Sequence, residues 1–413
     1  MVVTGSKGNV SLIQLFIIYN IIILPIFDNI SGALFKLNVI TDGGIGSPSQ
    51  LGRFIAIFFI VFLIFKVCQS NTRKISLFIL TYFIITELVI SLFHNELMAL
   101  LYGFVTSLKV AYALLCVLLF TDLVKQNRLN SAMISNYIII YGTVVSIFVL
   151  LSYFSGFHIS NYSKGVATRG LFISGNGLGV VIGISSLILI YNTAKFTTLK
   201  LLHILLLLLT VALIGTKAAL FFLILGISFF LFKTFKKRPF FSVLVLFSTI
   251  YFSFSVLLQN LEMIFENIIF KFENIDDKLL LLASSRDSFI LDAFDIVNWN
   301  DIYALRFIFG AGAYYAYLDP TTSITTLRKL LENDLFELFF SYGFVLTLLY
   351  ISLYLIAVGE VLKKTKNYFY LFIFSLVYLH SITVGHVLFN GTSSLMLGLT
   401  FSLIFCRKNP IQQ

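Results

Sequence analysis

The sequence is short of charge. Only 12% of its 413 residues are charged, whereas 59% are hydrophobic, and the mean hydropathy is +0.97. A soluble domain of this length has no interior large enough to hide that much apolar surface, so the composition excludes a soluble fold. It predicts an integral membrane protein instead.

Cysteine is scarce as well, and the motifs of several large protein classes are absent. The three cysteines, Cys68, Cys116 and Cys406, show no zinc-binding spacing and carry no information on disulfides. The sequence has no phosphate-binding P-loop, no dinucleotide-binding glycine fingerprint and no nucleic-acid-binding module. We therefore expect no metal, no cofactor and no nucleic-acid partner.

What the sequence has in quantity is long apolar runs. A helix needs about 20 apolar residues to cross a hydrocarbon core roughly 30 Å thick. The runs are continuous, which favours helices over β-barrel strands, since those would be about ten residues long and would alternate. We predict an all-α, polytopic fold with about twelve transmembrane helices at 10–28, 51–68, 75–93, 100–121, 133–154, 171–191, 199–214, 217–232, 240–258, 335–358, 367–384 and 387–405.

Lysine and arginine concentrate in alternate short loops, such as those at 233–238 and 363–366. This bias indicates cytoplasmic loops, and an even number of spans then leaves both termini in the cytoplasm. The predicted domains are residues 1–258 with transmembrane helices 1 to 9, a large extracytoplasmic loop at 259–334, and residues 335–413 with helices 10 to 12. The predicted location is the bacterial cytoplasmic (inner) membrane.

The predicted loop 259–334 is the one extramembrane segment long enough to fold over the membrane surface. With the first turn of the next span it carries thirteen acidic residues against six basic ones. Long loops without function are uncommon in compact proteins. We interpret it as a candidate lid or substrate platform, with a solvated cap as the alternative.

Polar and ionisable residues from five chain regions border apolar spans on the predicted outer side. Such residues are costly near hydrocarbon, which makes each of them a candidate functional residue. Structural roles stay open for each: snorkelling to lipid for the cations, a loop ion pair, helix capping for the acids, or a hydrogen-bonded histidine. The candidates are Arg169, Lys217, Arg286, Glu332, Asn333, Asp334, His386 and Asn390.

Cations, carboxylates and a histidine at one membrane surface suit a particular chemistry. Arginine binds a diphosphate through its bidentate fork, and lysine binds it as a point charge. A carboxylate or a histidine nearby could deprotonate an attacking sugar hydroxyl. The combination therefore suits glycosyl transfer from a lipid diphosphate, with the reactive groups on the extracytoplasmic side of the membrane.

Four local patterns stand out, in this order: TRGLFISGNGLG from Thr168, LIGTKAALF from Leu213, FIFGAGAYY from Phe307 and ENDLFELFFSYGF from Glu332. Together they resemble the O-antigen polymerase (Wzy-type) and O-antigen ligase superfamily of bacterial membrane glycan-assembly proteins. The resemblance covers most of the length in topology, with about twelve spans and one large outer loop before the last three.

The resemblance implies an active site with separate binding and proton-accepting groups. Arg169 and Arg286 are expected to bind the diphosphate of an undecaprenyl donor, and Lys217 adds charge. Supporting positions are Gly170, Asn176, Asn333 and Asn390.

The proton acceptor stays open between three residues. In the ligases a His-Asn pair opens the helix after the large loop, and its histidine is the proposed base. This sequence has Glu332 and Asn333 there. Glu332, Asp334 and His386 are therefore competing catalytic bases.

The predicted function is polymerisation of undecaprenyl-diphosphate-linked oligosaccharide repeat units, for O-antigen or capsule, by inverting and metal-independent glycosyl transfer. The expected partners are these lipid-linked oligosaccharides, membrane lipid and a chain-length regulator protein.

Three other interpretations stay open: an O-antigen ligase-type transferase, a lipid-linked oligosaccharide flippase or transporter, and a non-catalytic scaffold. A transporter should carry charged residues deep in its helices. Of the charged residues, Glu87 and Lys109 are the ones that fit that description.

Overall fold

The secondary structure is helical, with connecting loops, in the part of the chain that the computed structural model describes. These residues are 7–40, 46–160, 167–234, 247, 290–291, 293–295, 303–316 and 331–406. Within them the one isolated β-bridge joins Ser160 and Thr168. The predicted all-α fold is confirmed. Nearly all of predicted span 240–258, Arg286 and most of the predicted loop 259–334 lie outside the described residues.

The described helices are numbered here in chain order. A π-helical turn, Tyr19–Ile23, joins the first two into one span, and a second one, Val361–Thr365, continues α12. The helices are α1 (Lys7–Ile18), α2 (Leu24–Lys36), α3 (Pro48–Val67), α4 (Ser70–His94), α5 (Leu97–Lys125), α6 (Ser131–Phe154), α7 (Gly175–Asn192), α8 (Thr198–Ile214), α9 (Lys217–Thr234), α10 (Tyr303–Phe309), α11 (Gly312–Tyr315), α12 (Asp334–Glu360), α13 (Tyr368–Thr383) and α14 (Gly391–Ile404).

Helices that could span a membrane dominate this list. Among the described residues, eight helices are long and apolar enough to cross one, and α8, α13 and α14 are shorter apolar helices. A described helix lies on each predicted span other than 240–258. The protein is therefore a multi-pass membrane protein, while the number of spans stays a prediction.

The chain forms two compact units. The first unit holds the described residues of 7–52 and 131–234, and the second holds those of 53–130 and 290–406. The first unit thus contains α1, α2 and α6 to α9. The second contains most of α3, from Arg53 onward, together with α4, α5 and α10 to α14.

Two helices begin later than predicted. The predicted sixth and twelfth spans start at residues 171 and 387, whereas α7 and α14 start at Gly175 and Gly391. Before α14, the main-chain N–H groups of Val387 and Leu388 donate to a carboxylate rather than to helix carbonyls. Before α7, the Arg169 guanidinium donates to a carbonyl of the same stretch. Polar side chains thus hold both approach segments out of the helix.

In the first unit, small residues let helices approach closely. A Cβ atom added to Gly179 of α7 would lie 3.1 Å from the Cα of Ala219 in α9. The Ser185 hydroxyl of α7 donates to the carbonyl of Ile138 in α6 at 2.8 Å. Small residues and interhelical hydrogen bonds drive such packing, because lipid tails are as apolar as the helices themselves.

In the second unit, α14 is the central helix. All of its residues are buried. Its Gly398 faces Cys116 of α5, where an added Cβ would lie 2.8 Å from the Cβ of the cysteine. The Asn367 amide, just before α13, donates to the carbonyl of Cys406 at 2.6 Å and so fastens the end of α14.

Helix α12 is broken at Gly343, where φ is 74° and ψ is −174°. In a straight helix the Cα atoms of Asp334 and Tyr350 would lie about 24 Å apart. Both side chains nevertheless hydrogen-bond the hydroxyl of Ser381, each at 2.7 Å. Two extended side chains and two such bonds span no more than about 16 Å. The helix must therefore bend at Gly343, whereas the predicted span 335–358 was continuous.

A short hairpin, α10 and α11, fills the break. A Cβ atom added to Gly310, between the two helices, would lie 2.5 Å from the Cα of Tyr342. The N–H of Ala311 donates to the carbonyl of Phe340 at 3.2 Å, and the Tyr82 hydroxyl donates to the carbonyl of Tyr342 at 2.7 Å. Non-helical backbone in a membrane is tolerated where protein covers it and satisfies its polar groups. The surrounding protein therefore covers the break and supplies hydrogen-bond donors to its main-chain carbonyls.

Candidate functional site

Arg169 lies in a short, well-bonded loop of the first unit. Its main-chain N–H donates to the carbonyl of Ile159 at 3.1 Å, and the N–H of Ile159 donates to the carbonyl of Gly170 at 2.7 Å. The guanidinium of Arg169 donates to the carbonyl of Ile173, and the side chain is partly exposed. Main-chain bonds on both sides thus fix the position of this cation.

The backbone conformation and the close packing at position 170 require glycine. Its φ of +60° lies in the left-handed region, and an added Cβ would lie 2.9 Å from the Cα of Val149 in α6. A side chain there would meet both strain and a clash with backbone. Gly170 therefore supports the conformation of its neighbour Arg169, in keeping with its predicted supporting position.

Lys217 and Asn176 lie at the same end of the first unit as Arg169. The N–H of Thr168 donates to the carbonyl of Leu213 at 2.9 Å, which joins the Arg169 loop to the end of α8. Lys217 is the exposed first residue of α9, four residues further on. Asn176 is partly exposed in the first turn of α7. The structure therefore brings Arg169, Asn176 and Lys217 to one end of this unit, and Gly170 is the neighbour of Arg169.

Lys36 is a cation of this end that the sequence analysis missed. Its ammonium donates to the carbonyl of His158 at 2.7 Å and lies 4.5 Å from the centre of the Phe157 ring. Burial, and then the charge of Lys36, lower the pKa of His158. Lys36 is the one basic residue of predicted loop 29–50. A single lysine in a loop predicted to face outward was the feature of the sequence that could have indicated it as a candidate.

Asp334 is the centre of the second unit's polar cluster. Its side chain is 2% exposed. Atom Oδ2 accepts hydrogen bonds from the N–H groups of Val387 at 2.8 Å and Leu388 at 2.9 Å, and from the Ser381 hydroxyl at 2.7 Å. We call this arrangement the Asp334 clasp. It ties the start of α12 to the end of α13 and to the loop before α14.

Glu332 and His386 flank the clasp. Both are partly exposed, and both adopt the left-handed conformation, with φ of 53° and 62°. A Cβ atom added to Gly385 would lie 2.6 Å from the carbonyl carbon of Glu332, so the two segments touch through their backbones. His386 directly precedes Val387, whose main-chain N–H binds Asp334. The structure thus brings all three predicted bases together.

Asn333 and Asn390 are helix caps. The side-chain oxygen of Asn333 accepts from the N–H groups of Leu335 and Phe336 at 3.1 and 3.2 Å. That of Asn390 accepts from the N–H of Thr392 at 3.1 Å. Such caps satisfy N–H groups that have no partner within the helix. Both asparagines therefore support the cluster by starting α12 and α14 at fixed positions.

Arg53 is a second cation that the sequence analysis missed. It lies on α3 and contacts Gly391, the first residue of α14, so closely that an added Cβ there would overlap its guanidinium. A cation beside the positive end of a helix raises the local positive potential. The sequence offered only an arginine near the start of an apolar run, which is an ordinary position for a snorkelling residue.

The FIFGAGAYY motif is the α10–α11 hairpin. Arg306 donates to the carbonyls of Tyr315 and Ala316 at 3.0 and 2.9 Å, which closes the hairpin on itself. The Tyr315 hydroxyl donates to Glu96 at 2.5 Å, and burial, followed by this carboxylate, raises the pKa of Tyr315. The motif therefore has a structural role, and hydrogen bonds hold the hairpin in place.

Buried Glu87 serves the same hairpin. Its carboxylate accepts from the N–H of Ala313, in α11, at 3.0 Å. The side chain is 3% exposed, and a Cβ atom added to Gly312 would lie 3.0 Å from its other oxygen. This contact gives Glu87 a structural role inside the membrane span α4.

The predicted site residues thus fall into two sets. Arg169, Gly170, Asn176 and Lys217 belong to the first unit, and Glu332, Asn333, Asp334, His386 and Asn390 belong to the second. Arg286 lies outside the described residues. In comparisons with known proteins, the chain matches no protein-family model and no curated protein.

Proposed function

We propose that the protein polymerises undecaprenyl-diphosphate-linked oligosaccharide repeat units on the outer face of the bacterial cytoplasmic membrane. The product would be an O-antigen or capsular polysaccharide. The growing glycan on one lipid diphosphate is the donor, and a single lipid-linked repeat unit supplies the attacking hydroxyl.

The observation that carries the proposal is the cluster around the Asp334 clasp. Two partly exposed titratable side chains, those of Glu332 and His386, flank a buried carboxylate within a multi-pass membrane protein. Both adopt a backbone conformation that is costly for such residues, and costly backbone is concentrated at functional sites. A base that accepts a sugar hydroxyl proton needs such an exposed, fixed position.

The cationic end of the first unit supports binding of an anion. Arg169 and Lys217 lie there with the N-termini of α7 and α9, both of which are 18 residues long. Helix N-termini and cations both favour a phosphate group. Arg169, Lys217 and the predicted Arg286 would bind the diphosphate of the donor.

The proposed reaction is a displacement at the anomeric carbon. The acceptor hydroxyl oxygen forms a bond to that carbon while the bond to the diphosphate oxygen breaks, with inversion. The hydroxyl proton passes to the base, and the electron pair leaves with undecaprenyl diphosphate. Cations that face the leaving group stabilise the charge that develops on it, and holding two lipid-linked substrates side by side supplies much of the rate.

Arginine substitutions test the proposal in cells that depend on this protein for their polymer. We expect Arg169→Ala and Arg286→Ala each to abolish chain extension, because the departing diphosphate loses its counter-charge, while the protein still inserts into the membrane. Polymer length is read on gels, and protein abundance on immunoblots of membranes.

Arg73→Ala is the matched control. Arg73 also donates to a main-chain carbonyl, that of Cys68 at 2.8 Å, but it lies in a predicted cytoplasmic loop. It should leave polymer length unchanged. Polymer of normal length in both Arg169→Ala and Arg286→Ala would contradict the proposal, and transfer of one repeat unit without extension would favour a ligase.

A further inference from the structure

We infer that Asp334 is a positioning residue that acts through His386, and that Ser381 and Tyr350 hold it in place. The inference rests on the proposed function, because it assigns a role within the same site. It removes Asp334 from the three candidate bases and adds two residues of α12 and α13 that no sequence pattern singled out.

The bonding of Asp334 is that of a structural anchor. Among the described residues, its three hydrogen bonds all end on one oxygen, Oδ2, and two of them come from the main-chain N–H groups of Val387 and Leu388. A base must meet the hydroxyl of its substrate, yet Asp334 is 2% exposed. Asp334 could take a proton from a sugar only if the clasp opened first.

Two hydroxyl groups form a hydrogen-bonded chain that ends on the carboxylate of Asp334. The Tyr350 hydroxyl donates to the oxygen of Ser381 at 2.7 Å, and the Ser381 hydroxyl donates to Asp334 at 2.7 Å. Tyr350 and Ser381 are fully buried. Because each hydrogen points toward the carboxylate, the chain stabilises Asp334 as an acceptor. The break at Gly343 is what lets both ends of this chain meet Ser381.

The clasp fixes the residue that precedes its two N–H donors. His386 has a φ of 62°, a left-handed conformation that its side chain disfavours and that persists only where the surroundings impose it. Bonds on both sides impose it: the carbonyl of His386 accepts from the Ser393 hydroxyl, and the next two N–H groups bind Asp334. Asp334 thereby sets the direction of the imidazole.

Two substitutions of Asp334 separate a positioning role from a base. Asp334→Asn keeps an oxygen that accepts from both main-chain N–H groups but cannot act as a base. We expect its kcat to stay within about threefold of wild type, with the acid limb of the pH profile unmoved. Asp334→Ala removes the clasp, and we expect kcat to fall about 100-fold with little change in KM.

The hydroxyl chain has matched controls on the same two helices. Tyr350→Phe removes one buried hydrogen bond and should lower kcat about 3- to 10-fold. Ser381→Ala removes two such bonds and should lower kcat at least as much. Tyr354 and Ser375 form a similar pair at 3.2 Å, one turn further along α12. Tyr354→Phe and Ser375→Ala should leave kcat unchanged.

Amide hydrogen exchange tests the clasp without any assay of activity. The amides of Val387 and Leu388 should exchange faster in Asp334→Ala and at the wild-type rate in Asp334→Asn. An Asp334→Asn protein that loses about 100-fold or more of kcat while its amide exchange stays normal would overturn the inference, because Asp334 would then be the base. If the purified wild-type protein forms no polymer, the proposed function is contradicted instead, and unchanged exchange in Asp334→Ala would show separately that no clasp exists.

Discussion

At the scale of single residues, Glu332 and His386 share a left-handed backbone and partial exposure, with φ of 53° and 62°. The Asp334 clasp binds the main-chain N–H groups of the two residues that follow His386. If Asp334 only positions His386, the proton acceptor is either Glu332 or His386, the two partly exposed residues. Both a carboxylate and an imidazole can accept a proton from a sugar hydroxyl, so substitutions must decide between them.

Two substitutions by glutamine, which cannot act as a base, decide between these residues. We expect His386→Gln to lower kcat by about 10²- to 10⁴-fold, since the clasp orients that imidazole and general-base catalysis contributes that much. Glu332→Gln should retain most of the activity. The measurement is kcat against pH for both variants with lipid-linked repeat units, and the reverse pattern would identify Glu332 as the base.

The sequence could suggest candidate residues but not their contacts. It singled out Asn333 and Asn390 as supporting residues, and the structure shows them to be caps. It passed over Lys36 and Arg53, because a cation near the end of an apolar run looks the same whether it faces lipid or a helix terminus. Those partners are far away in the sequence, and only the folded chain brings them together.

At the scale of elements, the broken helix α12 distinguishes this fold from a bundle of straight spans. The part that follows Gly343, with its π-helical end, is about 33 Å long, which is enough to cross a membrane alone. The part before Gly343 is then free to lie at an angle and carry Asp334 to Ser381. The hairpin of α10 and α11 packs against the break and donates a hydrogen bond to its main chain.

Alanine substitutions at two glycines of α12 test this account. At Gly343 an added Cβ would lie 2.5 Å from the main-chain N of Gly310, and φ is +74°. We expect Gly343→Ala to destabilise the protein by roughly 1–3 kcal/mol or more, and to lower kcat through the clasp. Gly359→Ala is the control, since nothing lies within 4 Å of an added Cβ there. It should be neutral or slightly stabilising.

Thermal unfolding in detergent measures both effects. Equal melting temperatures for the two alanine variants would show that the break does not depend on a glycine. From the sequence the break was not foreseen, because one glycine in a long apolar run is common in membrane helices. Its φ depends on the hairpin that packs against it, a contact between distant parts of the chain.

At the scale of the whole molecule, composition and the lengths of the apolar runs were enough to predict an all-α, multi-pass membrane protein, because those properties follow from the thickness of a bilayer. Orientation in the membrane is a separate prediction from the distribution of lysine and arginine. The described residues themselves indicate no direction across the bilayer.

Cysteine labelling tests the orientation in the native background. The three natural cysteines are buried. Burial raises the pKa of the Cys406 thiol to about 12, so near pH 7.5 it is almost entirely protonated and reacts slowly. A membrane-impermeant maleimide should label exposed Ser155→Cys in intact cells, but Ser70→Cys only after permeabilisation. The opposite pattern would invert the predicted topology.

The central claim is glycosyl transfer between two lipid diphosphates, and a reconstituted reaction tests it most directly. Purified protein is incubated with undecaprenyl-diphosphate-linked repeat units alone, and the products are separated by size. The account predicts a ladder of products spaced by one repeat unit, with release of undecaprenyl diphosphate and no ladder from the Arg169→Ala protein. Unextended repeat units in the presence of folded wild-type protein would contradict it.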